Sequence, residues 1–122
     1  MAYPVSTTFT DWPVSGQIID LSTASICHIA AGVPGRLIRA YVCLSAAITT
    51  ATDTITIKKG STTIGTIAIT VAASAIGSVH EATFTGSEAD CTFAANDAIV
   101  FDNDGASDTT SIGRITAVLR RL

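Results

Sequence analysis

The stretch Asp53-Thr54-Ile55-Thr56-Ile57-Lys58-Lys59-Gly60-Ser61-Thr62-Thr63-Ile64-Gly65-Thr66-Ile67-Ala68-Ile69-Thr70-Val71 sets the fold class. Polar and apolar residues alternate over 53–59, a Gly-Ser-Thr-Thr segment interrupts, and the same period resumes at Ile67. Alternation at period two puts Ile55 and Ile57, or Ile67, Ile69 and Val71, on one face of a sheet and threonines on the other. The pattern predicts a hairpin of strands Thr54–Lys59 and Ile64–Val71, joined by a four-residue link from Gly60 to Thr63.

Working outward, the same texture recurs. Gln17–Leu21 and Ser25–Ala30 read as strands, followed by the turn Gly32-Val33-Pro34-Gly35. Arg36–Ser45 is the longest strand. Strict alternation there places Ile38, Ala40, Val42 and Leu44 on one face, and Leu37, Arg39, Tyr41 and Cys43 on a mixed second face. Val79–Thr85, with Ala82 and Phe84 inward, then Thr92-Phe93, Ala98–Asp102 and Ile112–Arg120 complete the set. The tetrad Ala72–Ala75 is too short to hold a helix alone. About eight strands at regular spacing predict an all-β, jelly-roll-like β-sandwich. Residues 1–13 lack periodicity and carry Pro4 and Pro13, so they read as an extended N-terminal arm ahead of a single domain over 14–122. The arm's Tyr3, Phe9 and Trp12 either cover the chain's own sandwich edge or anchor on a neighbour.

Composition narrows the function. The 122 residues are 48% hydrophobic and only 14% charged, against roughly 25% charged in an ordinary domain. Thr and Ser must therefore supply much of the outer surface, which suits a chain that meets other subunits. A net charge of −3 with only two lysines argues against nucleic acid as partner. Arg36, Arg39, Arg114 and Arg120, with Arg121, remain as a local basic set suited to ion pairs or an interface. No apolar run approaches a membrane span, and the N-terminus has no secretory pattern. Cys27, Cys43 and Cys91, an odd set without CxxC spacing, read as reduced thiols packed in or beside strands, in a chain made in a reducing cytoplasm.

Catalytic signals are weak. His28 and His80 sit in strand patterns without a nucleophile elbow, and Glu81, Glu88, Asp90 and Asp97 form no distinctive carboxylate pair. The reading is non-enzymatic, with no cofactor. The sharpest local motif, Asp102-Asn103-Asp104-Gly105-Ala106-Ser107-Asp108, reads first as an Asx turn, with a weak site for a hard cation as the alternative. Its glycine comes early for a calcium loop and no Glu closes it, so Asp102, Asp104 and Asp108 are expected to give calcium little effect on stability.

The succession Gly35-Arg36-Leu37-Ile38-Arg39-Ala40, the Thr/Ala-rich link 46–53, the hairpin at Lys58-Lys59-Gly60-Ser61, the return Ile64-Gly65-Thr66-Ile67, then Phe93-Ala94-Ala95-Asn96-Asp97-Ala98-Ile99 and the Asp-Gly loop resembles the small jelly-roll proteins that decorate tailed-phage heads. The resemblance covers about residues 33–122. Asn96-Asp97 stands where such proteins often carry Gly-Asp. The resemblance implies a homotrimeric cement protein on the outside of an assembled capsid, with the major capsid protein and itself as partners and no catalytic residue to carry over. The alternative from the residues is a carbohydrate-binding or adhesin module.

Overall fold

A computed structural model describes residues 10–122. Ten strands run β1 Asp11–Ile18, β2 Ser25–Ala30, β3 Gly35–Leu44, β4 Asp53–Lys59, β5 Thr62–Ile69, β6 Val79–Glu81, β7 Thr83–Phe84, β8 Thr92–Phe93, β9 Ala98–Asn103 and β10 Gly113–Arg121. They form two antiparallel sheets. Sheet A has the order β1-β10-β3-β6, with β8 also on β3; sheet B has the order β2-β9-β4-β5-β7. No helix of the described residues is long and apolar enough to cross a membrane.

The pairing is nested. The first strand pairs the last, β2 pairs β9, β3 pairs β8, and β4 turns directly into β5. Such a chain is one long ribbon folded back at Gly60-Ser61 and then rolled so that alternate ribbon segments fall in opposite sheets. That is the jelly-roll arrangement, and the predicted all-β sandwich is what forms. Its core is the inward row of each strand: Ile55, Ile57, Ile67, Ile69, Ile99 and Phe101 from sheet B meet Leu37, Ala40, Val42, Ile115, Ala117 and Leu119 from sheet A, all buried. Each large aliphatic side chain enclosed this way contributes roughly 1.5–3 kcal/mol.

Four expectations change. The first strand begins at Asp11, not near Gln17, so residues 11–13 belong to the sheet rather than to an arm. Pro13 is accommodated because β1 is an edge strand, where a missing N–H costs no ladder bond. Second, β3 does not alternate strictly. Val118 opposes Arg39 while Leu119 opposes Leu37, so Ile38 is an extra residue in a β-bulge. The bulge reverses the parity and turns Leu37, not Ile38, into the core with Ala40, Val42 and Leu44. Third, the β4–β5 link has two residues, not four. Lys59 pairs Thr62, Gly60 takes a positive φ of 61°, and a second bulge at Ile64 absorbs the offset. Fourth, 79–85 is not one strand: it crosses from sheet A to sheet B at Ala82, whose amide donates to Ala40 O (2.8 Å). Ala82 and Phe84 nonetheless pack against the core as expected.

Four loops meet at one end of the sandwich: 19–24, 45–52, 70–78 and 104–112. Leu21 N donates to Ser111 O (2.9 Å), Ser45 N to Ile112 O (3.0 Å), Ile48 N to Ser74 Oγ (3.0 Å) and Asp108 N to Thr49 O (3.2 Å). The Ala-rich segment 72–75 lies in this network as turns, not helix. At the opposite end lie the β4–β5 hairpin and residues 85–97.

Candidate interaction face

The sheets leave two unlike outer faces. On sheet B the outward threonines gather on β4, β5 and β7, while β2 and β9 present Ile26, His28 and Val100: Thr83, Thr66, Thr56 and Asp102 stand in one row across four strands, with Lys58 Nζ 3.0 Å from Asp102 Oδ2. This is the threonine face that the alternation of 53–71 predicts.

Sheet A gathers the arginines. Outward positions of β10 carry Arg114, Thr116, Val118 and Arg120, and outward positions of β3 carry Arg36, Arg39, Tyr41 and Cys43. The register sets Arg120 opposite Arg36, Val118 opposite Arg39, Thr116 opposite Tyr41, and Arg114 opposite Cys43. Residues 78 positions apart in the chain, Arg36 and Arg114, thus share one surface. The Ile38 bulge is what keeps both Arg36 and Arg39 outward. Arg120 Nε bonds Asp11 Oδ1 (3.0 Å), and this contact, opposed by partial desolvation, holds the Asp11 carboxyl below its usual range. Arg36 meets Glu88 (2.9 Å). Arg39 and Arg114 have no ion-pair partner among the described residues. Beyond β3, Glu81 and Val79 on β6 extend the face opposite Tyr41 and Cys43, and Val79 is exposed. Tyr41 is therefore a half-buried surface residue here, whereas Phe93 and Phe101 are core.

Of the predicted partner-binding residues, Arg36, Arg39, Arg114 and Arg120 come together on this face. Trp12 does not join them. It pairs with Leu119 on the inward side of β1, at the open end beside Gly32, and stays 42% exposed. Tyr3 and Phe9 lie outside the described residues. Sequence reasoning missed the apolar contribution of the loops: Ile76 is 82% exposed and Ile19 72%. For Ile76 the signal was present as the charge-free stretch 72–79 between two strand patterns; Ile19 was hidden inside the predicted strand Gln17–Leu21.

The remaining candidates are dispersed. Ser78 Oγ lies 2.9 Å from His80 Nε2 and accepts from Ala75 N, so it serves a turn; burial pulls the His80 pKa down. His28 is exposed on β2. Asp90 and Asp97 border a shallow groove of about 550 Å³ with Lys59, Gly60 and Thr62, and no aromatic lines it. Asp102, Asp104 and Asp108 do not converge: Asp102 pairs with Lys58, Asp104 Oδ1 accepts from Thr54 N (3.1 Å) and Ala106 N (3.1 Å), and the backbone of Asp108 binds Thr49. The cysteines are free; Cys91 is buried, Cys27 and Cys43 half-buried, and burial raises the thiol pKa of Cys27 and Cys91.

No protein-family model matches the chain, and no curated protein sequence matches it. Among solved structures, a chain of the acidic stable capsid structure of Helicobacter pylori bacteriophage KHP30 is similar in fold, with a TM-score of 0.56 over 91% of this chain and 87% of that one. Sequence identity is 10%, so the likeness is one of fold.

Proposed function

We propose that this chain is a non-enzymatic virion structural protein, made in the host cytoplasm, that binds the exterior of an assembled phage head and bridges major capsid protein subunits there as a cyclic trimer. The observation that carries the reading is the gathering of four arginines with Tyr41 and Val79 on one outer face of a sandwich whose fold matches a chain of a phage capsid structure along nearly its whole length. Arg and Tyr are the side chains interfaces favour, since each joins a broad apolar body to a directional polar tip. Arg39 and Arg114 are available for carboxylates of a partner. Selective binding to the assembled shell would stabilise it by mass action. The absence of an aromatic platform in the described groove gives the carbohydrate-binding alternative no specific support.

The test is co-sedimentation with stripped particles and, separately, with unassembled capsid subunits. The protein should pellet with particles alone. Arg39→Glu combined with Arg114→Glu should weaken particle binding at least about tenfold while the thermal melt stays cooperative, because reversing rim charges acts on association rather than on the core. Equal affinity of the double variant would remove this face from the docking site. Failure of the parent protein to bind particles would end the capsid reading itself.

A further inference from the structure

At the loop end, three side-chain oxygens on the inner face of sheet B are buried and receive no hydrogen bond from any described residue: Asp53 Oδ2, Asn103 Oδ1 and Ser25 Oγ. Asp53 is 0% exposed and Asn103 1%. They belong to adjacent strands. Asn103 sits opposite Ser25 on one side and opposite Ile55, two residues from Asp53, on the other. Asn103 Nδ2 donates to Leu21 O (3.1 Å) and Thr23 O (2.9 Å). That anchor fixes the amide orientation and leaves Oδ1 as its unpartnered atom, on the strand that neighbours β4. The Asp53 and Asp104 carboxyl groups meet at a single amide: Ala106 N donates to Oδ1 of Asp53 (3.0 Å) and of Asp104 (3.1 Å). Gly105 holds this loop in place. It has φ 68°, and a Cβ there would lie 2.3 Å from Ala24 N, so only glycine permits the approach.

Buried acceptors without donors cost free energy, and a second carboxylate beside them raises that cost. Among the described residues no cationic side chain offsets it. Of the two lysines on β4, Lys58 is held by Asp102 on the outer face and Lys59 lies over the Phe93 ring at the other end of the strand; Asp20 is occupied by Ser22 and Thr23; Asp108 engages Thr49 through its backbone. We propose that Asp53, Asn103 and Asp104 form a site for a hard cation of the calcium type, clamping the start of β4 to the 104–112 loop. Two carboxylates and an amide oxygen, with no nitrogen or sulfur donor, are the ligand chemistry that calcium accepts and that softer metals do not prefer. Asp104 is exposed and gives the ion its path from solvent, with water completing the shell on that side. The ligand pair comes from two segments about fifty residues apart, whereas Asp102 and Asp108 take no part.

The test is a thermal melt of the chelator-treated full chain at about pH 8, with and without calcium at roughly 1 mM against sodium chloride of equal ionic strength. Calcium should raise the melting temperature by about 5 °C or more. Asp104→Asn, a change at an exposed side chain, should abolish the rise, Asp53→Asn should do the same, and Asp108→Asn should leave it intact. No calcium-specific rise in the parent protein would overturn the site and leave a water-filled or protonated pocket. A rise that survives Asp104→Asn, or that Asp108→Asn removes, would place the ion elsewhere.

Discussion

At Asp53 a carboxyl group is enclosed by protein, and desolvation, reinforced by the neighbouring Asp104, pushes its pKa up to about 7. In the unfolded chain an Asp titrates near 3.9. The folded form therefore binds an extra proton between about pH 4 and pH 7. Stability from this group is complete below about pH 4 and is lost as pH rises through about 7. Asp11 and Asp20 act oppositely: side-chain hydrogen bonds, from Arg120 to Asp11 and from Ser22 to Asp20, lower their pKa values, so their contribution is lost only as pH falls below about 4. Between roughly pH 5 and pH 8 the lowered pKa of His80 works in the opposite sense, adding stability as pH rises, so the difference between the parent and Asp53→Asn isolates Asp53. With chelator present, the melting temperature should fall by several degrees from pH 5 to pH 8, and Asp53→Asn should flatten that slope. A melting temperature that rises over this window as steeply as in Asp53→Asn would show that Asp53 is ionised at little cost. The period-two pattern already places Asp53 on the face of Ile55 and Ile57, but the carboxyl of Asp104 beside it was not legible, because the 104–112 loop that brings it there lies some fifty residues away.

At the scale of elements, the bulge in β3 separates two readings of one strand. Strict alternation buries Ile38 and exposes Leu37; the bulge does the reverse for Leu37, which is 3% exposed, and leaves Ile38 half-buried. Leu37→Ala should cost roughly 2–5 kcal/mol in urea unfolding, as for a large core truncation, and Ile38→Ala about half of that or less. Equal costs, or the reverse order, would contradict the bulge. The same strand fixes the reactivity of its cysteine. Cys43 faces outward between Arg114 and Val79, whereas Cys91 is enclosed and Cys27 lies against the core. A thiol-alkylating reagent should modify Cys43 first and Cys91 last in the native protein, and all three together once unfolded. Faster labelling of Cys91 than of Cys43, or a native disulfide, would argue against this packing. Alternation could be read from the residues, but a bulge could not, because the extra residue is set by how β10 and β3 meet across the chain rather than by local preference.

For the whole molecule, nested pairing closes the two sheets within residues 10–122: the outermost pair is β1 with β10, and the Arg121 amide binds Thr10 O. Deleting residues 2–9 should leave a cooperative melt, while deleting 2–13 should lower stability by removing the start of β1. If Tyr3 and Phe9 anchor on a neighbouring subunit, as the sequence reading offers, the 2–9 deletion should also weaken particle binding at least about tenfold, since interface energy concentrates in a few aromatic anchors. Unfolding of the shorter deletion would instead make that segment a cover for the sandwich. The sequence by itself determined the class of structure. Period-two alternation, Gly and Asx turns and scarce charge leave a chain of this length one economical way to bury its isoleucines, which is between two sheets. It also determined that threonines would stand on the outer side of β4 and β5. Only the tertiary structure decided which residues became neighbours. Rolling the ribbon set Arg36 and Arg39 beside Arg114 and Arg120, placed Tyr41 at the surface, and brought Asp53 under Asp104. Those contacts join segments fifty to eighty residues apart, so their energies depend on chain closure and strand register, which no local pattern encodes.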